Sequence, residues 1–373
     1  MKLLILGKYY APVRGGIETH TRDLALAAAE DFEVRVLVHN DGPQTVVEQV
    51  DGVELVRAGT IARPLKQPIS PAVFRYVRDF APDIIHLHAP NVWATLAAAV
   101  GGAKARLVIT HHADIVGREP VRSAALVLYR NLVRRSDALV VSASRNFKFS
   151  RDLRGVDVEP SIIPFCLPRP EFADETGFLA EAAALKRQVF GDRPVAAFVG
   201  RLVPYKGVSV LLDALAKVPE SAAVLVGAGP LEATLRSQAE RLGLQDRIHF
   251  AGACDDRTKA LWLAACDMFV LPSITSAEAF GIVQVEAMLF GKPIITTWLP
   301  SGVPEVGIPG ETSLVVPPAD TQALADAIRS LSEDPDLGRR LGRAGLARAE
   351  DIYSPETFRR SVLELYGRLA QPD

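Results

Sequence analysis

Short apolar runs rich in β-branched residues alternate along the chain with Ala-rich or amphipathic segments. "KLLILG", "EVRVLVH", "DIIHLH", "RLVITHH", "ALVVSAS" and "SIIPF" read as strands in the first half; "VAAFVG", "SAAVLVG", "RIHFAG", "MFVLPS", "PIITT" and "TSLVV" do so in the second. Helical spacing fills the intervals, as in "IETHTRDLALAAAE" and "GVSVLLDALAKV". Continuous apolar strands belong to parallel sheets buried on both faces, and strand-helix alternation winds such sheets right-handedly. Two sets of strands predict two doubly wound α/β domains. The stretch "PFCLPRPEFADETG" (164–177), rich in proline and acid, separates them. The expected organisation is a first domain over 1–168, a linker over 169–190, a second domain over 191–353 and a C-terminal helix over 354–373. In that helix Ser354 is the N-cap, Pro355 the first helical residue and Glu356 lies in the first turn. Ligands of open α/β sheets bind beyond the carboxyl ends of the strands, so two such domains facing one another predict a cleft.

The length of 373 residues suits two domains. A hydrophobic content of 49% with 23% charged residues describes a globular protein, and no apolar run is long enough to span a membrane or serve as a leader. A cytoplasmic location is expected. Cys166, Cys254 and Cys266 are too few and too scattered for a disulfide framework or a zinc cluster. The net charge of −2 hides a division: residues 1–170 carry +5 and the remainder −7. Much of the positive charge lies in "REPVRSAALVLYRNLVRR" (118–135). That segment suits a helix lying on anionic lipid at the inner face of the cell membrane, and equally a solvated basic face on an ordinary surface helix.

Four stretches that follow strands carry candidate chemistry. In "GKYYAPVRGGIETH" the pair Gly15 and Gly16 opens a helix, where backbone can approach a phosphate closely; the same glycines would also serve a plain turn. In "VGRLVPYKG" Arg201 and Lys206 share one loop and could grip a diphosphate, or be two solvated cations. In "THHAD" the adjacent His111 and His112 cannot both point into one site if the strand continues; one could touch a substrate at the strand end. His86 and His88 are the nearby candidates for a shared metal, but no metal site is expected, and His86 reads as a hydrogen-bonded sheet histidine. In "TSAEAFGIVQVEAMLFG" Glu278 and Glu286 stand eight positions apart. Within one helix they would lie about 12 Å apart along the axis, beyond the roughly 5 to 9.5 Å of a hydrolytic carboxylate pair. They suit instead two ends of one extended ligand, with the amides of Gly281, Ile282 and Val283 between them.

Taken in order, these stretches together with "LVGAGP", "FAGACDDRTKALWLAACDMFVLPS" and "GKPIITT" resemble the retaining glycosyltransferases of family 4, whose GT-B fold sets two Rossmann-like domains across a cleft. The resemblance is strongest to bacterial enzymes that build lipopolysaccharide, exopolysaccharide and lipid-linked saccharides. It implies a C-terminal helix returning to the first domain and hexosyl transfer, with a lean to mannose, from a nucleoside diphosphate sugar to a hydroxyl of a glycan or polyprenyl-diphosphate-linked acceptor. It also implies roles. Arg201 and Lys206 would hold the donor diphosphate, with Phe280, Gly281, Ile282 and Val283 completing the phosphate site and Gly15 and Gly16 closing from the first domain. Glu278, the first acid of an E-x7-E motif, would contact the donor sugar, and Glu286 the ribose. His112 matches the family histidine facing the transferred sugar. Cys254, Asp256 and Lys259 match the segment bordering the base.

GDP-mannose or a UDP-hexose is the expected co-substrate, with no further cofactor and no metal; the acids of "CDDR", Asp255 and Asp256, are adjacent and do not share a face in an extended segment. No nucleic-acid partner is expected. The sequence departs from the family at Phe165, Cys166, Leu167 and Pro168, where Asn-Gly is usual, and at Ser313. Two other readings stay open: a GT-B epimerase or phosphorylase, and a non-catalytic sugar-nucleotide-binding subunit.

Overall fold

The computed structural model describes residues 1–13, 15–64, 67–101, 104–115, 119 and 121–370. They form two compact units, one of residues 1–166 and 355–373 and the other of 167–354. The strands of the first unit are β1 (Lys2–Leu6), β2 (Glu33–His39), β3 (Val46–Val50), β4 (Val53–Ala58), β5 (Ile84–Ala89), β6 (Arg106–His111), β7 (Ala138–Val141) and β8 (Ser161–Ile162). Between them run α1 (Gly16–Ala28), α2 (Ala72–Phe80), α3 (Val92–Gly101), α4 (Val121–Arg135) and α5 (Ser144–Phe149). The sheet order is β3-β4-β2-β1-β5-β6-β7-β8. Every pairing is parallel except β3 with β4.

Alternation along β1 shows how the sheet is buried on both faces. Leu3 and Ile5 join one core cluster with Leu24, Ala25 and Ala28 of α1, while Leu4 and Leu6 point the other way, among Val73, Val77 and Phe80 of α2. The β3–β4 hairpin was not among the expected strands. Its two-residue turn is Asp51-Gly52, with φ of 54° and 82°, which is the left-handed geometry that matches strand twist and favours glycine.

The second unit holds α6 (Phe178–Phe190), β9 (Val195–Val199), α7 (Val208–Leu215), β10 (Ala222–Val226), α8 (Glu232–Arg241), β11 (Ile248–Gly252), α9 (Asp256–Ala265) and β12 (Met268–Leu271). It continues through α10 (Val283–Met288), β13 (Ile294–Thr297), α11 (Val303–Val306), β14 (Ser313–Val316), α12 (Thr321–Glu333) and α13 (Pro335–Ile352). Its sheet is wholly parallel, in the order β11-β10-β9-β12-β13-β14. Residues 169–190, read from the sequence as a linker, lie inside this unit; α6 packs along α9, and Glu181 pairs with Arg257 at 2.7 Å.

The last helix, α14 (Pro355–Ala370), returns to the first unit and packs on α1. Phe358, Val362, Leu365 and Tyr366 enter the core there. Each large apolar side chain so buried contributes roughly 1.5 to 3 kcal/mol, enough to hold the helix in place. Tyr366 also reaches His86 with its hydroxyl at 2.6 Å. Arg359 pairs with Glu30 and Asp31 at the helix surface.

In both sheets the connections reverse direction once. The reversal falls between β1 and β5 in the first sheet and between β9 and β12 in the second. Such switch points leave a crevice outside the carboxyl ends of the two strands. The candidate residues cluster there.

Candidate active site

In the second unit the loop after β9 carries Arg201 and Lys206, and the loop after β12 carries Ser273 and Glu278. Glycine lets the two loops touch. A Cβ on Gly207, whose φ is 67°, would stand 2.0 Å from the carbonyl oxygen of Pro272, so no other residue fits without moving backbone. The amide of Ile274 donates to the carbonyl of Tyr205 at 2.8 Å and closes the junction.

Across it, Lys206 Nζ meets Glu278 Oε2 at 2.5 Å, and Ser273 Oγ donates to the same oxygen at 3.2 Å. Lys206 is 8% and Glu278 9% exposed, which rules out a freely solvated loop cation. Removing either partner of a buried pair strands a charge at a cost of roughly 3 to 5 kcal/mol. Arg201, by contrast, is exposed on the same loop. Glu278 lies ahead of α10, so the helical separation considered for the two glutamates does not apply; Glu286 alone is in the helix.

Phe280, Gly281, Ile282 and Val283 join the Glu278 loop to α10. Gly281 has a φ of 74°, and a Cβ on it would meet Leu271 at 2.6 Å. Glu286, in the first turn, receives Lys259 Nζ on Oε1 at 3.0 Å, while its Oε2 is buried and accepts no hydrogen bond from the described residues. Lys259 projects from α9, which opens just after Cys254. Asp255 caps that helix by accepting from the amide of Thr258, and Asp256 lies 3.5 Å from Lys259 Nζ. Burial pulls the Lys259 ammonium down, but Glu286 and Asp256 outweigh it and hold its pKa above the ordinary lysine value. The segment after β11 and the second glutamate, expected separately, are therefore joined through one ammonium.

In the first unit, Gly15 stands before α1 in extended backbone that any residue adopts, and a Cβ on Gly16 would meet nothing within 4 Å. A Cβ on Gly15 would meet Glu18 Oε2, the far end of a flexible side chain, at 2.2 Å, so only Gly16 faces open space and neither glycine relieves backbone strain. His112 follows β6 and is buried. Its Nε2 lies 2.9 Å from His88 Nδ1, and the two rings lie edge to edge, 16° from parallel, with centroids 5.1 Å apart. His20 from α1 packs edge-on against His112 at 5.1 Å, and Phe165 lies against both rings, 5.8 Å from His112 and 4.9 Å from His20.

His86 bonds Tyr366 and Thr110 and stacks on His88, which is the satisfied sheet histidine expected. Burial drives His20 to about 4 and His86 to about 3, and burial with neighbouring rings drives His88 and His112 well below the ordinary value. The rings are therefore neutral at pH 7. His20, His88 and His112 bring nitrogens within 4.8 Å of one another, the one group with metal-ligand spacing among the described residues. Two of those rings already point a nitrogen at each other.

His111 turns away from His112, as strand alternation requires: it bonds Tyr129 at 2.8 Å and lies 3.6 Å from Asp114. Asp114 accepts from Ser150 Oγ and the amides of Arg151 and Asp152. Those bonds overcome burial and hold its carboxyl well below the usual range.

His88 was named from the sequence as a nearby histidine, but His20 was missed as a neighbour of His112. His20 was visible only as the last letter of "RGGIETH", one turn into α1. Among the arginines of the basic segment, Arg122 pairs with Asp152 at 2.9 Å and Arg130 donates to the carbonyls of Arg151 and Asp152. Both are committed within the protein; Arg134 and Arg135 are exposed, and Arg118 lies outside the described residues. No helix among the described residues is long and apolar enough to cross a membrane.

Comparison with known proteins places the chain in a family. The family described as "Glycosyl transferase 4-like domain" matches residues 15–164, and "Glycosyl transferases group 1" matches residues 182–348. The D-rhamnosyltransferase WbpZ of Pseudomonas aeruginosa is 32% identical over 93% of this chain and 90% of its own. Phosphatidyl-myo-inositol mannosyltransferase of Mycobacterium leprae is 30% identical over 99% and 97%. The crystal structure of HepE from Anabaena in complex with UDP superposes with a TM-score of 0.79 at 24% identity, covering 99% of this chain and 100% of that one.

Fold and matches together define a glycosyltransferase built on two Rossmann-like units. The chain belongs to family 4 of the glycosyltransferases, with the GT-B fold, and is a hexosyltransferase.

Proposed function

We propose that the protein transfers a hexosyl group of manno configuration, with retention, from a nucleoside diphosphate donor to a hydroxyl of a glycan or lipid-linked acceptor. The observation that carries this reading is the buried Lys206–Glu278 pair at the β9–β12 switch point. One cation and one carboxylate are held there before any substrate arrives. Lys206, with exposed Arg201 and the amides from Phe280 to Val283, supplies positive charge for the diphosphate. Breaking the glycosidic bond moves negative charge onto that leaving group, and fixed cations stabilise it without reorganisation.

Glu278 takes the sugar end of the donor and Glu286 the ribose, with the buried Oε2 of Glu286, unpartnered among the described residues, as the acceptor for a hydroxyl. Cys254, Asp256 and Lys259 border the base. Gly15 and Gly16 are assigned to the diphosphate and His112 to the transferred sugar by family resemblance. The manno preference rests on the relatives: one is named for D-rhamnose, which is mannose without its 6-hydroxyl, and another for mannose. GDP-mannose is the favoured donor. The phosphatidyl-myo-inositol relative supports a lipid-linked acceptor.

Melting the protein with UDP, GDP and ADP sugars tests the donor. Binding at 100 times Kd stabilises by about 2.7 kcal/mol, so GDP-mannose should raise Tm by several degrees and the UDP and ADP sugars should not. A UDP-hexose shift alone would transfer the assignment to that donor, and no shift with any sugar nucleotide would overturn the reading. With a working donor, Lys206→Ala should lower turnover by roughly 100-fold or more while a melting transition persists.

A further inference from the structure

Resting on the reading that His112 touches the transferred sugar, we propose that His88 is a positioning residue for His112, the two forming a neutral imidazole pair that shares one proton and behaves as a single tautomeric unit. The geometry is specific. His88 Nδ1 and His112 Nε2 are 2.9 Å apart, while the other nitrogen of each ring, His88 Nε2 and His112 Nδ1, is buried without a hydrogen-bond partner. A hydrogen bond between two neutral imidazoles uses one N–H, so only two arrangements exist.

If His88 Nδ1 carries the proton, His112 carries its own on Nδ1 and offers a donor there. If His112 Nε2 carries it, His112 Nδ1 is a bare acceptor and His88 Nε2 becomes the donor. In both, His112 Nε2 is engaged and Nδ1 is the nitrogen left for a ligand. A hydroxyl meeting Nδ1 selects the tautomer, and His88 takes up the complementary one.

The surroundings hold both rings in place. His86, itself fixed by Tyr366 and Thr110, stacks on His88, and His20 packs edge-on against both rings. Phe165 packs against His112 and His20 together, and Phe358 of α14 backs His20. No carboxylate hydrogen-bonds either ring among the described residues. Burial keeps both rings neutral. A singly protonated pair would keep the shared bond but carry an N–H on both outer nitrogens, so the choice between the two tautomers would be lost.

Because His88 works through Nδ1, an asparagine at this position can place a carboxamide atom where Nδ1 stood, whereas phenylalanine keeps an aromatic ring there and loses the bond. We expect His88→Phe to lower kcat about tenfold with donor KM within threefold, and His88→Asn to restore most of the loss. A residue that only fills space would show the reverse order.

In the wild-type protein labelled with 15N at histidine, the pair should give a 15N–15N coupling through the hydrogen bond, with His112 Nε2 as one partner. Absence of that coupling overturns the proposal even if His88→Phe does not fold. Wild-type kcat in folded His88→Phe overturns it as well, provided His112→Ala is impaired. If His112→Ala itself transfers sugar normally, the role of His112 falls instead, and the coupling still reports on the pair.

Discussion

Glu286 has one oxygen committed and one in reserve. Lys259 occupies Oε1 at 3.0 Å, and Oε2 is buried without a donor, a costly state for a carboxylate unless something fills it. A ribose hydroxyl would donate there. Hydrogen bonds to charged groups contribute roughly 1.5 to 3 kcal/mol, so Glu286→Gln should raise donor KM about 10- to 100-fold. The ribose is remote from the breaking bond and is held alike in ground and transition states, so kcat should stay within a few-fold. Initial rates across donor concentrations check this; a collapse of kcat at unchanged donor KM would contradict the ribose role.

At this scale the acids and bases of the second unit were legible because each lies within a few residues of a strand end. The histidine cluster was legible only in part: His88 stood beside His112 in the reading of the sequence, whereas His20 comes from α1, and only the sheet order brings it against β5 and the end of β6. The Lys259–Glu286 contact was hidden for the same reason, since it joins two helices across 27 residues of sequence.

Among elements, the junction of the β9 and β12 loops depends on Gly207. Its φ of 67° and the 2.0 Å approach of a notional Cβ to the Pro272 carbonyl leave no relaxed position for alanine. Left-handed strain costs about 1 to 3 kcal/mol, and the backbone clash adds to it. Gly207→Ala should therefore lower the Tm of the second unit. It should also reduce transfer more than it reduces stability, because separating the loops pulls Lys206 from Glu278. Calorimetry beside donor titration checks both; unchanged donor binding would show that the loop contact does not set the site.

Parallel strands were the most legible elements. Runs such as "VAAFV" are apolar throughout because both sheet faces are covered. The hairpin of β3 and β4 escaped, although Asp51-Gly52 between alternating strands is a strong turn signal. Its strand "VVEQV" is largely exposed at the sheet edge and lacks the continuous apolar character used to find the others. The helix α6 was hidden by the proline-rich stretch preceding it, which made the segment look like a tether.

Across the whole molecule, buried histidine is concentrated in the first unit. His20, His39, His86, His88 and His112 are all held neutral there, chiefly by burial, whereas His249 of the second unit is only partly buried. A histidine whose folded pKa lies below its unfolded value of about 6.5 binds a proton only on unfolding as pH falls. Its penalty is absent above that value and grows by roughly 1.4 kcal/mol per pH unit down to the folded pKa, about 4 for His20 and His39 and about 3 for His86.

Asp23 opposes this. Burial raises it to about 6, so acid relieves part of its cost, but it offsets about one of the five groups. The first unit should thus lose several kcal/mol between pH 7.5 and 5.5, by roughly one such increment for each unopposed histidine. Trp93 reports on that unit alone once Trp262 and Trp298 are replaced by phenylalanine. Its urea midpoint should be flat above pH 7.5 and fall steeply below pH 6.5. A midpoint that holds steady or rises down to pH 5.5 would mean that the stack accepts protons in the folded state, and the neutral shared-proton pair of His88 and His112 would not survive that result.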